Sequence, residues 1–275
     1  MENINCLICG SSANSLYKKV VNRFDASEIF DIVKCQCDFI YLNPRPSVLE
    51  IGEYYESESY IPHRNSSSIY NFLQKIAFKW KYNKLINTKS VEDCRLLDFG
   101  SGSDKFLNYL SSMTNWDLYS YDPFINSKHP AIDFKNEKCD MITMWHSLEH
   151  VHDIDGAFDM INSVLNKNGF LFIAVPNVYA LESNIFQSNW VAFDAPRHLY
   201  HFSEKDIKKL LSKYNFKVLK TYTLFQDTFF NVYSSFTINR ILAFVISLLL
   251  LPFLLFMICL NSKYASSKLY VCSKK

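Results

Sequence analysis

Five of the seven histidines in the sequence lie in one stretch, between residues 146 and 201. An imidazole has an unperturbed pKa of about 6.5, so it can accept or release a proton near neutral pH. Glu149 directly precedes His150, and a carboxylate beside an imidazole favours proton transfer. We therefore predict acid–base chemistry, with His150 and Glu149 as first candidates, followed by His198 and His146. The alternative is that these side chains cap helices or bond to loop main chain.

The stretch "LLDFGSGSDKFL", residues 96–107, holds two of only six glycines in the chain, Gly100 and Gly102. A residue without Cβ lets a ligand approach the main chain closely. A phosphate-binding P-loop is excluded because no Gly-Lys-Ser/Thr triplet follows, and Lys105 replaces the third glycine of a dinucleotide fingerprint. Asp122, about twenty residues on, suits hydrogen bonding to ribose hydroxyls. A nucleoside ligand without a pyrophosphate points to S-adenosylmethionine.

Short apolar runs alternate with amphipathic ones from residue 95 onward, which predicts a mostly parallel sheet covered by helices on both faces. The expected strands include "RLLDF", "WDLYSYD", "CDMITMW" and "FLFIAVPN". Helices are expected over 66–87, from Asp155 to Asn168-Gly169, and after a capping box formed by Ser203 and Asp206. In such a sheet, ligands bind beyond the carboxyl ends of the strands, where the glycines lie.

The sequence resembles class I S-adenosylmethionine-dependent methyltransferases through "LLDFGSGSDKFL", "CDMITMWHSLEHVHD" and "LNKNGFLFIAVPN". "FDAPRHLYHFS", "NPRP" and "EYYESESY" resemble a subgroup that carries an N-terminal cysteine module. The resemblance implies a Rossmann-like seven-stranded sheet with helices on both faces. The subgroup resemblance also implies a small N-terminal cysteine-rich lobe, and an apolar run near the C-terminus adds an apolar helical insertion to the expected fold. The stretch from Asp122 to Asp140 is short for this family.

The candidate binding residues follow from these motifs. Those expected to bind S-adenosylmethionine are Asp98, Phe99, Gly100, Ser101, Gly102, Asp122 and Trp145. Those expected to bind the acceptor, in and near the loop that carries His198, are Trp190, Asp194, Arg197 and His201. Large aromatic side chains such as Trp190 are also common in protein cores.

Cys6-x-x-Cys9 resembles a zinc knuckle, and Cys35 and Cys37 could complete a structural zinc site with four thiolates. Such a site would stabilise a segment too small to build its own core. The second pair has one intervening residue where the subgroup usually has two. The alternative is four reduced cysteines without metal, and disulfides are not expected because no secretory signal precedes them.

Residues 241–260, "ILAFVISLLLLPFLLFMICL", contain no charge and are long enough to cross a bilayer as a helix. The segment "SKLYVCSKK" after it is expected to return to the sheet as an antiparallel strand, which puts both ends of the run on one side. We therefore expect the run to dip into the membrane and bend back near Pro252. The alternative is an apolar helix buried in the protein or at an oligomer interface.

Three regions are expected: a lobe over 1–60, a methyltransferase domain over 61–235 plus 262–275, and a membrane-associated segment over 236–261. A net charge of +2 argues against a nucleic-acid partner. The expected function is methyl transfer to a small acceptor, an oxygen of a sugar or of a lipid-linked intermediate, at the cytoplasmic face of the membrane. The alternatives are a quinone-type O-methyltransferase and a non-catalytic membrane-associated module that keeps the fold.

Overall fold

The computed structural model describes residues 1–56, 68–88, 93–125 and 127–275. Its helices are α1 Glu53–Glu56, α2 Ser68–Ile86, α3 Lys105–Met113, α4 Ile154–Val164, α5 Leu181–Phe186, α6 Glu204–Lys213, α7 Phe225–Ser235 and α8 Arg240–Leu260. Its strands are β1 Asn14–Val21, β2 Ile29–Cys35, β3 Ile40–Leu42, β4 Arg95–Phe99, β5 Asp117–Tyr121, β6 Cys139–Trp145, β7 Leu165–Pro176, β8 Tyr200–His201, β9 Phe216–Thr223 and β10 Ser267–Lys274. The domain boundary expected near residue 60 lies outside the described residues.

The larger sheet has the strand order β5-β4-β6-β7-β10-β9. Strands β5, β4, β6 and β7 are parallel, and β10 runs antiparallel to both β7 and β9. The order reverses at β4, because β5 lies on one side of it and β6 on the other. This reversal places the end of β4 in the crevice where ligands of open α/β sheets bind.

The mixed α/β class with helices packed on a mostly parallel sheet is confirmed, as is the return of β10 into the sheet. Among the described residues the sheet has six strands, against the seven expected. An isolated parallel bridge between Ser120 and Ala131 lies beside β5, where a further edge strand would pair. The connection between β5 and β6, from Asp122 to Asp140, is short. It forms this single bridge where a longer connection could form a full strand.

The smaller sheet has the order β1-β2-β3-β8 and carries the cysteine lobe. Its last strand comes from the loop that contains the later histidines: Ile40 pairs with His201 and Tyr41 with Tyr200. The main-chain N–H of Leu42 donates to the carbonyl of Leu199 at 2.9 Å. The lobe is therefore hydrogen-bonded to the histidine loop directly, across more than 150 residues of sequence.

Helix α4 begins and ends earlier than the sequence suggests. Asp153, two residues before the expected Asp155, caps it by accepting from the Gly156 N–H at 2.9 Å. The helix ends at Val164, and the expected stop at Asn168-Gly169 lies inside β7. A Cβ on Gly169 would lie 2.6 Å from the Leu165 side chain, so this glycine serves close packing within the strand and not a helix end.

Helix α8 is one continuous helix of 21 residues, and it does not fold back at Pro252. The expected bend is therefore wrong. Proline loses one intrahelical hydrogen bond, but the helical segments on both sides of it are kept. In the described part of the chain, α8 is the one helix that is long and apolar enough to cross a membrane, and only 22% of its most apolar stretch is buried.

Candidate active site

Gly100 and Gly102 form the turn that follows β4, with φ angles of +84° and +55°. A Cβ on Gly100 would lie 2.4 Å from the Cβ of Ser147, whereas nothing lies within 4 Å of the corresponding position on Gly102. Gly100 is therefore required by the close approach of Ser147. Gly102 leaves open space beside the main chain, which is the property expected of a cofactor-binding turn.

Two aspartates stabilise the loops beside this turn. Asp98 is buried in β4 and accepts a hydrogen bond from the Thr143 hydroxyl at 2.6 Å. Burial raises the pKa of Asp98 to about 6, although this hydrogen bond and Lys81 act in the opposite direction. Asp122 follows β5 and accepts from the Gly102 N–H at 2.9 Å. Asp122 thus connects the turn after β4 to the turn after β5.

Two buried polar atoms beside the turn have no hydrogen-bond partner in the described part of the chain. The Ser101 hydroxyl and the Trp145 indole N–H are buried and make no hydrogen bond within the described residues. The Lys81 ammonium of α2 lies over the Trp145 ring, 4.4 Å from its centroid. Burial lowers the pKa of Lys81 to about 8 against the attraction of Asp98 and Asp227. These unpartnered donors fit a ligand that carries both polar and charged groups.

The expected cofactor residues thus share one edge of the sheet. Phe99 ends β4, its ring contacts Tyr121 with centroids 4.6 Å apart, and its carbonyl accepts from the Ser147 hydroxyl. No residue of the cofactor set lies elsewhere in the described structure. Their binding of S-adenosylmethionine remains a prediction, which the open turn and the unpartnered donors support.

His150 and His198 lie together, with ring centroids 4.6 Å apart. Nδ1 of His150 lies 3.0 Å from the Arg197 carbonyl, and Nδ1 of His198 lies 2.8 Å from the Ala192 carbonyl. A carbonyl oxygen can only accept, so each Nδ1–H donates to its carbonyl, and the neutral His150 ring keeps a lone pair on Nε2. Burial and His198 lower the pKa of His150 to about 4, which keeps its ring neutral at pH 7.

Glu149 is fully buried beside these rings. Its two carboxylate oxygens have no hydrogen-bond partner among the described residues. One ligand atom each of Glu149, His150 and His198 lies within 4.8 Å of the others, so the group could hold a cation. A buried carboxylate beside two imidazole rings attracts positive charge, which His146 supplies from one side.

His146 occupies a different position from His150. Its Nε2 lies 3.1 Å from a carboxylate oxygen of Asp227, and its Nδ1 lies 3.6 Å from one of Glu149. Burial would lower the pKa of His146, but these two carboxylates outweigh it and raise the pKa to about 9. At neutral pH His146 is therefore a cation between two carboxylates, which makes it unsuited to act as a general base.

The expected acceptor-binding residues are engaged with the protein itself. Arg197 and Asp194 form a buried two-bond ion pair, with Nη2–Oδ1 and Nε–Oδ2 distances of 2.5 and 3.0 Å. Trp190 packs edge-on against Phe193 in the core. His201 is buried, and burial followed by His198 lowers its pKa to about 3. These contacts indicate that the residues shape the loop that presents His198, and direct acceptor contact remains a prediction.

Three contacts of the site come from residues that the sequence analysis did not name as site residues, although one of them, Tyr55, lies in the motif "EYYESESY". Asp227 lies on α7, Lys81 lies on α2, and Tyr55 of α1 places its hydroxyl 2.9 Å from Nδ1 of His150. The Tyr55 ring also stacks on Phe124, 4.8 Å away, after β5. Asp227 is the one charged residue in the aromatic-rich segment "LFQDTFF" and is a usable signal, whereas the position of Lys81 depends on tertiary packing.

The four expected zinc ligands lie together in the N-terminal lobe. The Sγ atoms of Cys6 and Cys37 are 3.6 Å apart, those of Cys9 and Cys35 are 3.5 Å apart, and all four lie within 4.8 Å of one another. Tetrahedral Zn–S bonds of about 2.3 Å place sulfurs about 3.8 Å apart, so the donor set fits a structural zinc ion. When bound, the ion would connect the first turn of the lobe to the turn between β2 and β3.

A family model described as "Methyltransferase domain" matches residues 62–221, more than half of the chain. The chain belongs to this family. Its class I fold and its enzyme class, S-adenosylmethionine-dependent methyl transfer, therefore agree with the sequence prediction. The match covers β4 to β7, the turn at Gly100 and both histidine segments.

Solved structures similar to this chain include several methyltransferases. A SAM-dependent methyltransferase from Archaeoglobus fulgidus is 17% identical, with 76% of this chain and 100% of that chain covered and a TM-score of 0.43. A SAM-dependent methyltransferase from Geobacter sulfurreducens in complex with S-adenosyl-L-homocysteine is 11% identical, with 71% of this chain and 91% of that chain covered and a TM-score of 0.45. A cyclopropane synthase from Mycobacterium tuberculosis is 12% identical, with 66% of this chain and 78% of that chain covered and a TM-score of 0.43. No curated protein sequence matches the chain.

Proposed function

We propose that this methyltransferase transfers the methyl group to an oxygen of a small acceptor, either a sugar or a lipid-linked intermediate. The observation that carries the proposal is the meeting of the His150 and His198 rings with the Glu149 carboxylate, where one ligand atom of each lies within 4.8 Å of the others. This group lies just beyond β6, at the same sheet edge as the turn that holds Gly100. A hydroxyl acceptor needs such a base because it must lose a proton as it is methylated.

S-adenosylmethionine supplies an electrophilic methyl group when bound. In the proposed step, a bond forms between the acceptor oxygen and the methyl carbon while the carbon–sulfur bond breaks. Nε2 of His150 accepts the hydroxyl proton, and the adjacent Glu149 carboxylate stabilises the resulting imidazolium. The carbonyl of Arg197 keeps the ring oriented through Nδ1–H. His198 is the second candidate base.

The geometry gives His146 another role in the proposal. As a cation between Glu149 and Asp227, it keeps both carboxylates ionised, and so it maintains the negative charge next to His150. His146 is thus a positioning residue: it holds the two carboxylates in their charged form, and it does not accept the proton of the acceptor.

The test compares His150→Gln with His129→Gln, which changes a histidine whose ring hydrogen-bonds to Asn108 at an exposed position. Methyl transfer from labelled S-adenosylmethionine would be measured over nucleotide sugars, lipid-linked sugars and quinols. We expect a loss of about 10²–10⁴-fold in turnover for His150→Gln, with unchanged cofactor affinity and an unchanged His129→Gln control. Full activity of His150→Gln would contradict its role as base, and methylation of quinols alone would overturn the sugar acceptor.

A further inference from the structure

Helix α8 exposes an apolar surface that the protein does not cover. Its large side chains that face outward are Ile241, Leu242, Phe244, Val245, Leu248, Leu249, Phe253, Phe256 and Leu260. Ile241 and Leu249 are 78% and 75% exposed. At about 100° per residue these positions cover about half of the helix circumference. Soluble monomers rarely expose a continuous apolar area of this size.

The remaining face of α8 packs on the protein along its length. The buried residues Ala243, Ser247, Leu254 and Ile258 recur at four- and seven-residue steps. At the border with the exposed face, the half-exposed Phe244 contacts the rings of Phe229 and Tyr233 on α7 edge-on, with centroids 5.8 and 6.3 Å apart. The helix therefore lies along the domain and does not project away from it.

Both ends of α8 are fixed to the same domain. Asn239 caps the first turn, directly after α7. After the helix, the Asn177 side chain donates to the carbonyls of Lys263 and Ala265 at 2.8 and 2.7 Å, and β10 then enters the sheet between β7 and β9. A helix of about 31 Å could cross a bilayer by length alone. Crossing would place β10 on the opposite side from its partner strands, so this fold excludes it.

The ends of α8 carry paired basic and aromatic side chains. Arg240 lies over the Tyr233 ring at 5.6 Å, and Lys263 lies over the Tyr264 ring at 4.8 Å. Arg23 donates to the Ser234 carbonyl close to the first of these pairs. Tyrosine and basic residues are typical of the boundary between lipid tails and headgroups, and the positive charge is complementary to anionic lipid.

We propose that α8 inserts into one leaflet of an anionic lipid membrane and lies parallel to its surface. A leaflet surrounds half of an embedded helix, which matches the exposed half of α8, whereas a second copy of the chain would contact a narrower stripe. Phe225 and Phe230 of α7 are also exposed beside it. Because α7 carries Asp227, the membrane surface then lies next to the site of methyl transfer.

The test is flotation of the protein with vesicles of phosphatidylcholine, with and without phosphatidylglycerol. Leu249→Asp is compared with Leu49→Asp, which alters a 93% exposed leucine in the N-terminal lobe. We expect wild type and Leu49→Asp to float with anionic vesicles, and Leu249→Asp to bind at least about tenfold more weakly. Equal binding of the two variants, or a folded wild type that stays unbound, would overturn the proposal. A dimer that Leu249→Asp dissociates would assign the surface to a second copy instead.

Orientation is tested separately on reconstituted vesicles. A membrane-impermeant maleimide added outside should label Asn239→Cys and Ser262→Cys to the same extent, as quantified by peptide mass spectrometry. Protection of only one of these positions would show a crossing helix and overturn the parallel placement. Lipid binding does not depend on methyl transfer, so calorimetric binding of S-adenosylmethionine in detergent distinguishes failure of this proposal from failure of the enzyme site.

Discussion

Asp122 combines two tasks in one carboxylate. It accepts from the Gly102 N–H, and one oxygen accepts from the main chain of Phe124 and Ile125 at 2.9 and 3.1 Å. A carboxylate has about four lone-pair sites, so acceptor capacity remains for a ribose hydroxyl. The same residue thus orders the turn and offers a hydrogen bond to the ligand.

Asp122→Ala should weaken S-adenosylmethionine and S-adenosylhomocysteine binding by about 10–100-fold, because hydrogen bonds to a charged group contribute about 1.5–3 kcal/mol. Isothermal titration calorimetry measures this, with NADH as a ligand control. Asp117→Ala removes an exposed carboxylate at the other end of the same strand and should bind like wild type. Unchanged affinity of a folded Asp122→Ala would show that the cofactor lies elsewhere.

The element that most affects the site is the small sheet of the N-terminal lobe. Pairing of β3 with β8 fixes the main chain of Tyr200 and His201, directly after His198. Two cysteines of the cluster, Cys35 and Cys37, lie at the turn between β2 and β3, directly before the strand that pairs with β8. Loss of the lobe's structure should therefore change the histidine loop as well.

Cys35→Ser should release zinc and lower the melting temperature, since a structural zinc site contributes directly to folding. Zinc is measured by atomic emission on the purified protein and melting by circular dichroism. Cys259→Ser changes an exposed cysteine on α8 and should keep both zinc and stability. A wild-type protein that contains no zinc, or an unchanged Cys35→Ser, would contradict the metal site. Methyl transfer should fall together with the melting temperature because β8 is tied to the lobe.

Most helices and strands of the fold could be predicted from the sequence. Strands such as "RLLDF" and the capping box at Ser203 are local signals, and the structure has them at the expected positions. The end of α4 was not predictable from Asn168-Gly169, because Gly169 serves close packing inside β7, and the exposed Pro252 lies within α8 without ending it. Within the site, His150 followed from its motif, whereas Lys81 and Asp227 come from distant helices that only the folded chain brings together.

The free energy of unfolding of the whole protein should fall as the pH drops below about 6.5, because two buried histidines resist protonation. The pKa of His150 is lowered to about 4 and that of His201 to about 3, mainly by burial. Below about pH 6.5 the unfolded chain binds protons on these rings while the folded chain does not, so stability falls with pH. For His201 the slope is about 1.4 kcal/mol per pH unit.

His146 acts in the opposite sense. Its folded pKa of about 9 stabilises the protein below about pH 6.5, and this contribution is lost as the pH rises to about 9. Melting temperatures measured from pH 4 to 10 should therefore fall on both sides of neutrality. His201→Gln should flatten the acid side, while His129→Gln should leave the profile unchanged. If the melting temperature of His201→Gln falls as steeply below neutral pH as that of wild type, groups other than His201 cause the loss of stability in acid.

Strand β10 has a consequence for how the protein is made. It lies between β7 and β9, yet it follows both of them, and α8, along the chain. During translation α8 therefore leaves the ribosome before the sheet can close, while β7 still has an unpaired edge that invites aggregation. Early contact of the nascent α8 with lipid or a chaperone would protect this intermediate, so yield during cell-free synthesis should rise when vesicles are present from the start.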